Sequence, residues 1–441
     1  PVTAWGKKPV MGPTVVTGTV KSSDQSTMKS NTTRVPQWLE KHTSSAYMNS
    51  INQELSAREE KRMLARYLSC HPPPTGVEDG TPSPNPRRSS KLSDCISKLM
   101  SSKISTVPRP APHIHYSVVI ANQDQNQIYN RYGDIHPYDR TRVVVQKDPL
   151  HRGEDQSLEQ GKYLNASWVL ERYGHKWWIA SQAPLPNTSH TFLSLFLQQS
   201  TSPPHSILSG STSQSRPRTI VQLTNDVEGG RRKAHPYFPA QVGQSFMIPS
   251  EDPEEAPLKV TLRKQQSIPD ARCVCSTVSV LPVPLSRSSV DGTIEDQLPV
   301  TFQHLLYTSW PDHGVPKDED RASLLAFLRL VDSTNRDTTL APTPDPDPDP
   351  PVVVGCSAGV GRTGSFIALS SLLRHFGFLP PPGSPSPSSS IPESPLGPLP
   401  SHLSEDLVLQ EIDFLREQRP AMVQRNEQTL LIYQILASTF S

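Results

Sequence analysis

The chain has 441 residues, but 47 prolines and an apolar share of only 34% leave material for a single core of about 250–280 residues rather than two or three domains. A formal charge of +1 argues against a global preference for nucleic acid or an anionic membrane, and no run of about 18 apolar residues occurs that would span a bilayer. Five cysteines, odd in number and scattered (Cys70, Cys95, Cys273, Cys275, Cys356), make a poor disulfide framework and read as a reducing compartment, cytoplasmic with the nucleus also open.

The first residue is Pro, so the chain reads as a piece whose true N-terminus lies elsewhere. Residues 1–34 are rich in Thr, Ser, Val and Lys without a period and are expected to be disordered. The recurrence of Ile51, Leu55, Met63 and Leu64, with Glu59, Glu60 and Arg62 between them, predicts a helix over 36–68. A Pro/Ser/Gly cluster over 71–90 reads as a loop. From Tyr129 onward strand patterns follow at 141–146, 162–169, 177–180, 219–223, 258–262, 273–281, 301–308 and 352–354. Helical patterns interleave at 191–199, 318–331, 363–373, 407–418 and 427–437. In the second of these Leu324, Leu325, Leu328 and Val331 share one face, and Asp318 is the expected N-cap. Strands mixed with helices in this way predict an α/β (α+β) domain around one mixed sheet. It would span 35–441, interrupted by low-complexity insertions near 71–90, 200–216, 250–256, 332–350 and 378–401. The Asp-Pro repeats over 345–350 favour extended, polyproline-like chain. The insertions read as surface loops, or as docking or phosphorylation segments.

The chemistry concentrates where the apolar strand at 352–354 runs through Gly355 into a glycine-rich loop and then a helix-competent run. Cys356 opens the loop and Arg362 closes it. The small residues between them (Ser357, Ala358, Gly359, Val360, Gly361) let backbone N–H groups turn inward as an anion nest, and the helix N-terminus adds its positive end. That field favours thiolate, so Cys356 is expected to titrate low. Arg362 can hold two phosphoryl oxygens through its planar fork, and Thr363 places a hydroxyl where it can bond the thiolate. The bland alternative is a buried structural cysteine before a helix start. The combined spacing and the Arg-Thr-Gly ending resemble the signature loop of the cysteine-dependent protein tyrosine phosphatases, in particular their non-receptor-type catalytic domains.

The other motifs occur in the order of that family. Trp310-Pro311-Asp312-His313-Gly314-Val315-Pro316 resembles its acid loop, with Asp312 as proton donor to the leaving phenolate. Asn130-Arg131-Tyr132-Gly133-Asp134 resembles the segment whose Tyr stacks on the phosphotyrosine ring and whose Asp holds the substrate backbone, roles implied for Tyr132 and Asp134. Gln424 and Gln428 match the glutamines that orient the attacking water. Glu228 and Lys233 fall where the family has a Glu supporting the loop Arg and a Lys near the acid loop. Residues 163–167 and 181–186 match more weakly, with Ala183 where Gly is usual. The resemblance implies a highly twisted mixed sheet flanked by helices and hydrolysis of phosphotyrosine in proteins through a phosphocysteine. Its implied partners are phosphotyrosine proteins, with possible docking partners for the Pro-rich insertions, and it requires no metal or organic cofactor. The Tyr132 motif opposes a dual-specificity or lipid phosphatase, because it builds a deep pocket.

Two positions depart from the pattern. Gly133 stands where a basic residue is frequent, which implies a weaker preference for acidic flanks. Gly355 stands where the family carries His, so a hydrogen bond is lost and backbone freedom gained. Gly355 is the one support for an alternative, a weak or silent phosphotyrosine-binding pseudophosphatase. Cys273 and Cys275 have no partner pair for a metal and read as sheet core. His113 and His115 are equally unsupported as ligands, and His304 reads as structural.

Overall fold

The computed structural model describes residues 34–72, 111–146, 161–198, 203, 216–284, 298–311, 314–339, 347–383 and 391–440. Eleven strands are present among them: β1 (Arg142–Val145), β2 (Lys162–Leu170), β3 (Trp177–Gln182), β4 (Thr219–Gln222), β5 (Val227–Glu228), β6 (Arg231–Arg232), β7 (Ser245–Ile248), β8 (Leu258–Ile268), β9 (Cys273–Pro282), β10 (Val300–Tyr307) and β11 (Val352–Cys356). Nine form one mixed sheet in the order β1-β2-β3-β11-β4-β10-β9-β8-β7, and β5 pairs with β6 alone. The parallel part is central: β11 lies between β3 and β4, and β4 also runs parallel to β10. A strand in that position is covered on both faces, which is why β11 is a continuous apolar run. Val352, Val354 and Cys356 point into the larger core, and Val353 points to the opposite one, as a two-residue period requires.

Among the described residues six helices are longer than one turn. They are α1 (Ser45–Cys70), α2 (Ser189–Leu197), α3 (Asp318–Arg336), α4 (Gly361–His375), α5 (Leu407–Gln418) and α6 (Asn426–Ser438). The α2 residues Phe192, Leu193 and Phe196 fill one side; α3 to α6 fill the other. Helix α4 is buried from Gly361 to Arg374, so the helix that follows the cysteine loop is the centre of its layer. Such all-round burial fits its weak amphipathic pattern.

Several expectations need correction. The α1 stripe is not wholly apolar: Ile51 and Leu55 are buried, but so are Arg58 and Arg62, whereas Met63 is exposed. The two arginines pair with Asp413 and Glu417 of α5 at 2.5–2.8 Å, and buried charge is tolerated when paired. Lys317, not Asp318, occupies the N-cap of α3 and makes no side-chain cap bond; Asp318, Glu319 and Asp320 lie in the first turn, where they complement the helix dipole. The insertion expected at 332–350 begins too early. Helix α3 continues to Arg336, with Asp332 and Asn335 buried. Beyond it Asp349 is buried, bonding Lys176 and the Asn335 amide. The described end of the Asp-Pro repeat, 347–350, thus enters the packing where a surface insertion was expected. At 250–256, Glu255 is bonded by Lys162 and by the Ser250 hydroxyl. In the stretch 378–401, Leu379 and Ile391 are buried. Strand β7 is missing from the sequence reading because three of its four residues are exposed and do not alternate. The disordered segment expected at 1–34 lies outside the described residues except for Arg34, as do most of 71–90 and 200–216.

Candidate active site

A loop that offers its N–H groups to an anion must turn its carbonyls outward, and buried carbonyls then need donors. The Cys356–Arg362 loop meets that requirement at four successive residues. Ser357 O accepts from Ala183 N (3.1 Å) and Val360 O from Gly364 N (2.8 Å) and Val423 N (3.2 Å). Arg419, wholly buried, supplies the other two: Nε donates to Gly359 O (2.8 Å) and Nη2 to Ala358 O (3.1 Å). Arg419 also bonds Ser167 and Asn165 of β2, so it ties the loop to the sheet. Gly359 has φ +71°, and a Cβ there would lie 2.2 Å from Ser181 O; only glycine fits both the conformation and the approach.

Cys356 is 6% exposed at the end of β11. Burial pushes its thiol up, but the Arg362 charge and hydrogen bonds from Thr363 and the Val360 backbone outweigh burial and hold it below the ordinary cysteine value. The Thr363 hydroxyl is buried with no close hydrogen bond of its own, and it favours the Cys356 thiolate as a neighbouring donor. Arg362 is held by a bidentate pair with Glu228 (2.7 and 2.8 Å) and by Leu223 O (2.9 Å). Glu228 is fixed in turn by Thr224 Oγ1 and Asn225 N.

Above this floor opens a cleft of about 480 Å³. Tyr132, Asp134, Lys233, Gln424 and Gln428 line it together with Cys356, Ser357, Ala358, Gly361 and Arg362. Ser357 Oγ donates to Lys233 O (2.8 Å), so the Tyr132 hydroxyl, 2.7 Å away, is its donor. The Tyr132 wall is anchored by its neighbour. Arg131 bonds Ala183 O and Pro184 O, and its backbone N–H donates to Gln182 Oε1. Gln428 Oε1 accepts from Arg425 N (3.2 Å) at the start of α6, and its amide lies 3.0 Å from where a Gly361 Cβ would be. Gly359, Val360, Thr363 and Glu228 are not among the residues that line the cleft. Asp312 and His313 lie outside the described residues; Gly314 lines the cleft and Trp310 is buried beside it. Arg231, Arg232 and Arg425 also line the cleft and give it a basic rim.

A sequence profile of the family described as Protein-tyrosine phosphatase matches residues 126–208 and 211–377, more than half of the chain. The chain belongs to the protein-tyrosine phosphatase family. Relatives include human Receptor-type tyrosine-protein phosphatase H, 30% identical over 73% of this chain and 22% of its own length. Human Tyrosine-protein phosphatase non-receptor type 14 is 29% identical over 71% of this chain and 21% of its own. The chain thus spans about a fifth of the length of the curated relatives it matches. The crystal structure of the catalytic domain of human Protein Tyrosine Phosphatase non-receptor Type 18 superposes with TM-score 0.49 at 23% identity, covering 74% of this chain and 88% of that one.

The departure from the phosphatase pattern at Gly355 has a structural setting. The residue is held in β11 opposite Ser181 and Gln222, and its carbonyl accepts from Leu223 N (2.8 Å). The extra backbone freedom expected there is not expressed, because both neighbouring strands fix it. A Cβ at 355 would come 2.7 Å from Ser181 O, a backbone atom. The strand spacing therefore excludes any larger residue without a shift of β3. His304 is buried, pushed down to about 3 by burial, and bonds Gln222 Oε1. Cys273 is buried in the main core and Cys275 packs against it. Among the described residues no group of three His, Cys, Asp or Glu side chains is placed to hold a metal, and no helix is long and apolar enough to cross a membrane. Sequence reasoning missed Arg419 and Arg131. Arg131 sits inside a motif quoted for its neighbours, and the work of both arginines is largely on backbone carbonyls, which leave no pattern in the chain.

Proposed function

We propose that the chain hydrolyses phosphotyrosine in proteins through a phosphocysteine intermediate. The observation that carries this reading is the loop itself: consecutive outward carbonyls are all bonded, and the Cys356 thiol beneath it is held low. The Cys356 thiolate attacks phosphorus in line while Arg362 and the inward N–H groups hold the phosphoryl oxygens. The bond from phosphorus to the tyrosine oxygen breaks, and Asp312 gives the phenolate its proton. A water oriented by Gln428 and Gln424, with Asp312 now as base, then displaces the thiolate and releases phosphate. Tyr132 supplies the ring-stacking wall that selects phosphotyrosine over the shorter phosphoserine. No metal or organic cofactor enters these steps. The domain of this activity is proposed to span 35–441, and its partners are phosphotyrosine proteins. A cytoplasmic or nuclear location belongs to the same proposal and is supported by Cys70, Cys273, Cys275 and Cys356 all being free thiols.

Gly355 favours a second reading, a silent phosphotyrosine-binding module. Turnover separates the two. The purified chain should hydrolyse a phosphotyrosine peptide, and Cys356→Ser should abolish hydrolysis while retaining phosphopeptide binding. Binding without turnover in the parent chain would favour the silent module; equal turnover by parent and variant would end the phosphocysteine mechanism.

A further inference from the structure

The described part of the last insertion, 391–400, is a strap fastened at several points. Ile391 is buried in the cluster of the α2 side, Leu396 packs against Tyr116, Val118 and Tyr138, and Leu399 packs on the main core. Its middle is a tight turn, with Gly397 N–H donating to Ser394 O (3.1 Å) and Pro395 at the second position. Leu396 N–H donates to Ser394 Oγ (3.2 Å). The Ser394 hydroxyl donates to Glu417 Oε1 (2.9 Å), with the Tyr116 hydroxyl 3.3 Å away. Glu417 is the hub beneath the strap and also accepts from Arg62 Nη2 (2.6 Å), His115 Nε2 (3.0 Å) and Tyr116 (2.8 Å). Ser394 is half-buried at the wall of a cleft of about 570 Å³ that Arg58, Arg172 and Asp413 also line.

We propose that Ser394 is a phosphorylation site and that its hydroxyl is the latch of the strap. Ser394-Pro395 has the order accepted by proline-directed Ser/Thr kinases, and the exposed Pro392, Glu393 and Pro398 flank it at the surface. In the modification Ser394 Oγ attacks the γ-phosphorus of ATP, the bond to the ADP oxygen breaks, and the hydroxyl proton passes to the kinase's base. The product has no O–H to donate and carries about −1.5 to −2 charge. It stands against Glu417, which stays ionised: burial opposes its charge, but Arg62 and His115 outweigh that and hold it well below the usual carboxylate range. Arg62 is already engaged by Glu417 and Asp413, and Arg58 by Asp413 and Gly397 O. A donor at contact distance is thus replaced by a like charge, which costs more than the lost hydrogen bond. The strap unfastens, and the Arg58 bond to Gly397 O goes with it.

The test treats the purified chain with a proline-directed Ser/Thr kinase and magnesium ATP. Phosphates are mapped by mass spectrometry, and hydrogen exchange is followed in peptides from the strap and from β11. The expected result is phosphate on Ser394 and exchange at Leu396 and Gly397 faster by roughly tenfold, with β11 unchanged. Ser394→Ala, treated in parallel, should show no kinase-dependent change in the strap even when the other Ser-Pro pairs of the same insertion, Ser384-Pro385 and Ser386-Pro387, are modified. Failure to modify Ser394 after Ser384 and Ser386 are fully phosphorylated would overturn the assignment. Phosphate on Ser394 with unchanged or slower exchange would overturn the latch, since the cleft arginines would then be holding the phosphate.

Discussion

At the scale of single residues, the side chains proposed to touch phosphate are the easy part of this site. Cys356, Arg362 and Thr363 announce themselves because their spacing is local and their chemistry rare. Arg419 does not, because it acts on two carbonyls of a loop 60 residues away. Arg419→Met would strand Ala358 O and Gly359 O, each unsatisfied buried group costing about 1–3 kcal/mol. We expect kcat/KM to fall by roughly 10–100-fold, and the pH profile of iodoacetate alkylation at Cys356 to move upward as the nest loosens. An unchanged alkylation profile would confine Arg419 to fold stability. Gly355 makes the opposite case, a residue whose meaning lies in what its neighbours forbid. Gly355→Ala brings a Cβ against the Ser181 carbonyl and should lower stability by about 1–3 kcal/mol, read from the urea midpoint. Gly355→His should lose at least as much, and restoring the family residue should not raise activity. A gain in kcat/KM near neutrality would show that β3 yields easily.

Among the elements, the contact of α1 with α5 is the one that hydrophobic periodicity misdescribes. Its inward face carries Arg58 and Arg62, and its electrostatic partners Asp413 and Glu417 stand about 350 positions later. The arginines look like a solvated face until α5 is laid beside them. The arrangement makes a pH prediction. Glu417 titrates below its ordinary value of 4.5 in the folded chain. Its stabilising contribution is therefore complete above the unfolded value and drains away as pH falls toward the folded one. The urea midpoint of the parent chain should drop between about pH 6 and pH 3, and that drop should be shallower in Glu417→Gln, which starts from a lower midpoint because Arg62 has lost one of its two counter-charges. Parallel curves would remove Glu417 from the acid limb.

On the scale of the whole molecule, the layer of α4 and α5 hides a second carboxylate pair that works in the other direction. Glu411 is pushed up to about 8, first by burial and then by the nearby Glu171, against the help of the Ser371 hydroxyl. A carboxyl that holds its proton in the folded state contributes stability that is complete below the unfolded value near 4.5. That contribution is lost as pH rises through about 8. The parent chain should weaken as pH rises from about 4.5 to about 8, and Glu411→Gln, permanently neutral and able to keep the Ser371 bond, should flatten that decline. Denaturation midpoints across that range check it; a steeper decline in the variant would mean that the charged form is the favoured partner of this layer.

The sequence by itself determined the order of the six helices and of every described strand but β5, β6 and β7, the identity of the loop between Cys356 and Arg362, and the surrounding motifs of Tyr132, Gln424 and Gln428. These are legible because they rest on local geometry: a two-residue or 3.6-residue period, and a loop whose chemistry lies within seven consecutive positions. Only the tertiary structure decided which carbonyls of the loop are bonded and by what. It alone showed that Arg58 and Arg62 are core residues, that 332–336 is helix, that Asp349 is buried, and that 391–400 is fastened to α5. Each of those outcomes depends on partners remote in the chain, and burial of a polar group is settled by whether such a partner arrives, a fact that no periodicity carries.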